Sequence, residues 1–198
     1  MKTPIYVLKL NGPTSGTASA AAPAPDKTLV GTSERNDLNN IPATGNLILY
    51  VVGHAVPDGL IDAEGEIVTE ASVAKAIREK RNDKPTVIVW DVCYAASFLD
   101  APDCKEWGSQ YVHIFACQDY ELTWHGSDGT TQFSQELLLA VTALNRGQKT
   151  QNEWSWDALE DKLQTQFGTL QIPDVVASKG APSPRDFQLY DFVSAESS

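Results

Sequence analysis

Cys93 and His54 are the two side chains of this 198-residue chain best placed to do covalent chemistry together. Each closes a continuous apolar run. Leu47-Ile48-Leu49-Tyr50-Val51-Val52 ends in Gly53-His54, and Thr86-Val87-Ile88-Val89-Trp90 ends in Asp91-Val92-Cys93. Runs of this kind read as strands buried on both faces of a parallel sheet, and in such sheets reactive groups collect beyond the carboxyl ends of the strands. The two residues are 39 positions apart, the length of one crossover connection with its helix, so neighbouring strands would deliver both to one edge. A thiol beside an imidazole suits nucleophilic acyl transfer: the imidazole takes the thiol proton and later protonates the leaving amine. A single cysteine at a strand end is more often a small core residue, and a single histidine there more often a satisfied polar group. Their pairing on successive strands favours chemistry.

The elements that must position them alternate between strand and helix. Pro4 to Leu10 reads as a short strand. Residues 11–45 are rich in Gly, Ala, Ser, Thr, Pro and Asn, with the low-complexity patch TASAAAPAPD at 17–26. Such a composition buries too little surface to offset the entropy of ordering, so a mobile loop is expected there. The organisation is thus an N-terminal strand and loop over 1–45 and a catalytic region over 46–198, within a single domain. After the Gly53-His54 strand end comes a turn-rich stretch. Thr69 then N-caps a helix over about 70–81 with Val73, Ala74 and Ile77 on one face. A third strand covers Tyr111 to Ala116. Thr131 to Asn145 is a helix with Phe133, Leu137, Leu138, Val141 and Leu144 as its apolar stripe, and Ser155 caps another with Leu159, Leu163 and Phe167. Phe187 to Val193 reads as a last strand. This alternation predicts an α/β sandwich with a mostly parallel central sheet.

Composition narrows the partners. The chain has 15 Lys and Arg against 26 Asp and Glu, a net charge of −11, and no basic cluster of the kind that binds a nucleic-acid backbone. No stretch reaches the roughly 18 apolar residues of a membrane span. Near the N-terminus Pro4 and Lys9 close the apolar run Ile5-Tyr6-Val7-Leu8, well short of a secretory core of about 7–15 residues. Three cysteines, Cys93, Cys104 and Cys117, lack the dense spacing of a secreted disulfide scaffold, so a cytoplasmic location is expected. Three histidines and three cysteines offer no zinc-type spacing, and no EF-hand loop is present. No cofactor is expected.

At the stretches LILYVVGHA (47–55), PTVIVWDVCYAASF (85–98) and VHIFACQDYELTW (112–124) the chain resembles the caspase-like cysteine peptidases, in particular metacaspases and their bacterial relatives. The shared pattern is a hydrophobic strand ending in Gly-His, a second ending in Asp-x-Cys, and a third followed by an acid-containing loop. The resemblance covers residues 46–146 best. It implies a caspase-like three-layer sandwich, Cys93 as nucleophile, His54 as general acid/base, and an oxyanion hole of the backbone N–H groups of Cys93 and Ala55. The family normally has Gly at the position of Ala55; a positive φ there would strain an alanine. The helix and strand that the family places before the histidine strand are not evident in 11–45, and the Gln-Ala-Cys form of animal caspases is absent. Some metacaspases depend on calcium, for which this chain shows no motif.

Specificity can be argued from charge. Strand alternation puts Asp91 on the same side as Cys93, where a carboxylate would repel an acidic P1 side chain and attract Arg or Lys. In metacaspases the matching aspartate lines a basic P1 pocket with an acid on the loop after the next strand; Asp119 matches best and Glu121 second, and Trp124 borders the expected cleft. Animal caspases cut after Asp using arginines, and the resembling segments offer none. The expected activity is endopeptidase cleavage of protein substrates after Arg or Lys. Any self-processing is expected to fall at Lys105, Lys27 or Arg35. The rival reading is a caspase-like scaffold that regulates a protein partner without catalysis; its signature would be loss of a dyad residue, and both are present.

Overall fold

The computed structural model describes residues 5–10, 27–31, 40–62, 65–100, 107–123, 131–146, 154–168 and 171–187, the first two segments as backbone strands. Six strands form the main sheet: β1 (Ile5–Leu10), β2 (Lys27–Gly31), β3 (Leu47–Gly53), β7 (Thr86–Asp91), β8 (Tyr111–Phe115) and β9 (Asp174–Ala177), in the order β2-β1-β3-β7-β8-β9. All neighbours run parallel except β9, which lies antiparallel to β8. Between β3 and β7 the chain makes a second sheet of β4 (Ala55–Val56), β5 (Gly59–Ile61) and β6 (Ile67–Thr69), then helix α1 (Glu70–Arg81). The other helices are α2 (Ser97–Asp100), α3 (Gln132–Arg146), α4 (Trp156–Phe167) and α5 (Pro184–Phe187).

The expected three-layer α/β arrangement is what the side chains build. Every residue of β3, β7 and β8 is buried, and alternate residues feed two separate cores. Ile48, Tyr50, Val52, Val87, Val89 and Ile114 pack with Phe133, Leu137, Val141 and Leu163 of α3 and α4. Leu49, Val51, Ile88, Trp90 and Phe115 pack with Val73 and Ile77 of α1 and Phe98 of α2. Each such side chain contributes about 1.5–3 kcal/mol through burial, which is why both faces of these strands are apolar. The caps fall where the sequence places them. Thr69 Oγ1 accepts the Ser72 N–H at 3.3 Å, and Ser155 Oγ accepts the Ala158 N–H at 3.2 Å. Thr131, expected as the first residue of its helix, instead stands just before α3 and accepts the Ser134 N–H at 3.0 Å.

Three expectations are corrected. The stretch 11–45 holds a strand: β2 pairs in parallel with β1, Leu8 level with Leu29, so residues 1–45 supply two strands to the main sheet. The turn-rich stretch after Gly53-His54 is an antiparallel three-stranded sheet. Its first hairpin needs glycine at position 59, where φ is +151° and a Cβ would sit 2.3 Å from the Val68 carbonyl oxygen. Phe187 ends the short helix α5 and is not the start of a strand, while 188–193 lie outside the described residues. The edge strand is instead Asp174–Ala177, only four residues long and half-exposed, too short for a periodicity signal.

Two buried polar residues brace the sheet, Arg81 at the start of β3 and β7 and His113 in the middle of β8. The Arg81 guanidinium, fully buried, donates to the carbonyls of Pro42, Gly45 and Pro85 and to Thr86 Oγ1, at 2.5 Å to Gly45 and 2.9 Å to Thr86. His113 on β8 accepts the Trp90 indole N–H on Nδ1 at 3.1 Å and lies among the rings of Trp107 and Phe115. Burial pulls its pKa down to about 3. The unfolded imidazole titrates near 6.5, so between roughly 6.5 and 3 the unfolded chain binds a proton that the folded chain refuses. Stability is therefore lost as pH falls through that window, by about 1.4 kcal/mol per unit from this residue. Thermal melts between pH 6.5 and 5 should fall more steeply for the wild type than for His113→Phe; parallel curves would refute the assignment.

Candidate active site

Strand pairing brings the two sequence candidates together. β3 and β7 are direct parallel neighbours with Val52 level with Asp91, and His54 and Cys93 each come two residues later on the same rim. Both side chains are half-buried. The His54 carbonyl accepts the Ile61 N–H at 2.9 Å, which makes His54 and Ile61 a hydrogen-bonded antiparallel pair. Ala55 and Leu60 are the next pair and so of the other kind, with the Ala55 N–H turned away from β5. Its φ is not positive, so alanine in place of the family's glycine carries no backbone strain here.

The turn holding Cys93 is locked from several sides. Tyr94 takes a left-handed conformation, φ +56°, uncommon for a non-glycine residue and costly by about 1 kcal/mol or more. Its N–H donates to the Glu121 carbonyl at 2.8 Å. Ser97 Oγ donates to the Tyr94 carbonyl at 2.7 Å and also to Glu70 at the start of α1. Cys117 supports the turn from below: its thiol donates toward the Val92 carbonyl at 3.5 Å and the Glu121 carbonyl at 3.4 Å. Burial above all, then the nearby Cys93 and Glu121, push the Cys117 thiol up to about 12. It stays protonated at neutral pH. Cys93 Sγ lies 3.6 Å from the hydroxyl of Thr123, a buried residue.

The acidic residues fall into different places than their sequence positions suggest. Asp91 is fully buried. Its Oδ2 accepts from Tyr50 at 3.2 Å, from Ser134 at 2.5 Å and from Thr131. Burial first, and the Asp91 carboxylate second, push the Tyr50 phenol well above its usual range. β7 stops at Asp91, and Val92 and Cys93 both pack on the α1 side, so the two-residue alternation does not carry through to Cys93. Asp91 and Cys93 therefore face different cores, against the expectation that Asp91 shares the nucleophile's side. The Glu121 carboxylate accepts the N–H groups of Gln118 and Ile172, both at 3.0 Å, and ties its loop to the segment before β9. Asp119 is exposed on that loop, with Tyr120 and Leu122 exposed beside it. Trp124, Arg35 and Lys105 lie outside the described residues, and of Lys27 only the backbone in β2 is described. Thr123 and Tyr94 carry no sequence signal; a threonine in a loop and a tyrosine after a cysteine are ordinary.

Among the described residues no group of three His, Cys, Asp or Glu side chains converges as a metal would require, and no helix is long and apolar enough to cross a membrane. No protein-family model matches the chain and no curated protein sequence does. Among solved structures it is similar to the crystal structure of caspase-1 from Spodoptera frugiperda, with a TM-score of 0.58 over 89% of this chain and 86% of that one, at 9% identity. The chain has the caspase-like fold.

Proposed function

We propose that this protein is a cysteine endopeptidase with Cys93 as nucleophile and His54 as general acid/base, cleaving protein substrates after Arg or Lys. The observation that carries this reading is the β3/β7 pairing, which sends a histidine and a cysteine out from level positions on one rim. His54 takes the Cys93 proton as the sulfur attacks the scissile carbonyl carbon. The oxygen, now negative, is received by the N–H groups of Ala55 and Cys93, and His54 returns the proton to the departing amine. Water then attacks the thioester with His54 as base, freeing the acid product and the thiol.

The preference for a basic P1 residue rests on the charge around the sulfur. Segments 53–56, 91–97 and 117–123 contain Asp91, Asp119 and Glu121 but no lysine or arginine. An acidic P1 side chain would find no cation there. With Asp91 enclosed and Glu121 engaged by two backbone N–H groups, Asp119 is the acid on these segments most open to a substrate.

Labelling with a peptidyl-arginine chloromethyl ketone tests this reading. Modification of Cys93 that is lost in His54→Ala, with turnover of arginyl and lysyl fluorogenic peptides at least about tenfold above aspartyl ones, is the expected result. Faster turnover of aspartyl peptides would refute the specificity. Absence of both labelling and turnover would leave the scaffold reading in its place.

A further inference from the structure

Resting on the assignment of Cys93 as the reacting sulfur, we propose that Thr123 is a third catalytic residue, whose hydroxyl stabilises the Cys93 thiolate by donating a hydrogen bond to it. Thr123 is 7% exposed and its Oγ1 is 3.6 Å from Cys93 Sγ, within hydrogen-bonding range for sulfur. In the resting thiol either atom can donate. Once the proton has moved to His54, the sulfur can only accept, and a hydroxyl directed at a thiolate becomes a charge-assisted donor. A hydrogen bond made to the charged form favours that form, so the thiol ionises more readily than it would beside a methyl group. No bond of Thr123 breaks. The proton that leaves Sγ goes to the imidazole, and the threonine keeps its own.

The loop holds this hydroxyl rather than leaving it to chance. The Glu121 carbonyl accepts from Tyr94 N–H and from the Cys117 thiol, and the Glu121 carboxylate accepts from Gln118 and Ile172. Both ends of the contact, the turn after Cys93 and the chain before Thr123, are thus tied to each other. Among the described residues the ionisable groups on the elements around Cys93 are His54 just after β3, Asp91 at the end of β7, Tyr94 in the same turn, Glu70 at the start of α1 (bonded to Ser97), Cys117 just after β8, and Glu121 in the loop beyond it. Asp91 is turned into the opposite core, Cys117 stays protonated, and Glu121 keeps its backbone partners. Thr123 Oγ1 has its contact with Cys93 Sγ, so the comparison between threonine, valine, alanine and serine is aimed at that one oxygen.

The test is the pH dependence of Cys93 alkylation by iodoacetamide on the intact chain, assigned by peptide mapping so that Cys104 and Cys117 are counted separately. Thr123→Val keeps the shape and removes the hydroxyl, Thr123→Ala removes it without adding a methyl, and Thr123→Ser restores it. Loss of a hydrogen bond of ordinary net strength should raise the alkylation midpoint by about half to one pH unit in the Val and Ala variants. The Ser variant should return to the wild-type midpoint. A role in packing alone would not produce that pattern. Coincident midpoints for wild type, Val and Ala, or a Ser variant that tracks Ala, would overturn the proposal. Peptide turnover is not part of this readout, so a chain that cleaves none of the peptides above would refute the peptidase reading and leave the Thr123 comparison standing.

Discussion

Cys93→Ala should abolish hydrolysis of arginyl peptides, and His54→Ala should lower kcat/KM by roughly 10²–10⁴-fold, the range for a positioned proton-transfer group. Neither change should move the melting temperature by more than a few degrees, since both side chains stand half-exposed at the rim. Because the two act in one proton-transfer step, the double variant should be no worse than Cys93→Ala alone. Cys117→Ala should behave differently. It removes a thiol that burial keeps protonated and that braces the nucleophile's turn, so activity should fall modestly while covalent labelling of Cys93 persists. Initial rates and intact-mass labelling on the four proteins check the set. Full activity in Cys93→Ala would remove the nucleophile from the mechanism altogether.

Asp91→Ala should cost stability. Its Oδ2 is the meeting point of three hydroxyls, and it stands before the N-terminus of α3, where negative charge is favoured. Hydrogen bonds to a charged group are worth about 1.5–3 kcal/mol each. The hydroxyls can partly re-pair after its loss, because Ser134 already lies 2.6 Å from Tyr50 and 2.7 Å from Thr131. The expected net loss is about 2–4 kcal/mol, or roughly 5–15 °C in Tm for a chain of this size. Asp91→Asn, which keeps an acceptor but not the charge, should fall between. Selectivity for arginyl over aspartyl peptides should be little altered in whatever fraction remains folded. An Asp91→Ala protein with wild-type Tm and a many-fold higher KM for arginyl peptides would instead place the carboxylate in the substrate pocket, as its sequence position first suggests.

Much of the main sheet can be read directly, because strands buried on both faces must be apolar throughout, as 47–52, 86–90 and 111–116 very nearly are. The capped helices at 70–81 and 156–167 are equally legible, since Thr69 and Ser155 supply the side-chain acceptors that open them. The sequence is silent where structure depends on partners far away. β2 and β9 are short strands made by their neighbours, and the hairpins between Ala55 and Thr69 turn on the positive φ of Gly59 and Gly65. The adjacency of His54 and Cys93 was inferable from the spacing of two strands. The fate of Asp91 was not. Period-two alternation holds only while a strand continues, and β7 ends too early for Asp91 and Cys93 to share a side.

The buried guanidinium of Arg81 has a consequence for the far rim. By bonding Gly45 and Pro85 at once it fixes a common origin from which β3 and β7 are both measured, and the Leu47 N–H on the Pro85 carbonyl, at 3.1 Å, repeats the mark. The two strands act as matched rulers: each must span the same distance before releasing His54 or Cys93 at the rim. Deleting one residue from 86–91 would draw Cys93 back by about 3.3 Å and invert the facing of the residues beyond the deletion, while His54 stayed where it is. In this protein the separation of His54 and Cys93 is thus set by counting residues from an anchor on the opposite side of the molecule.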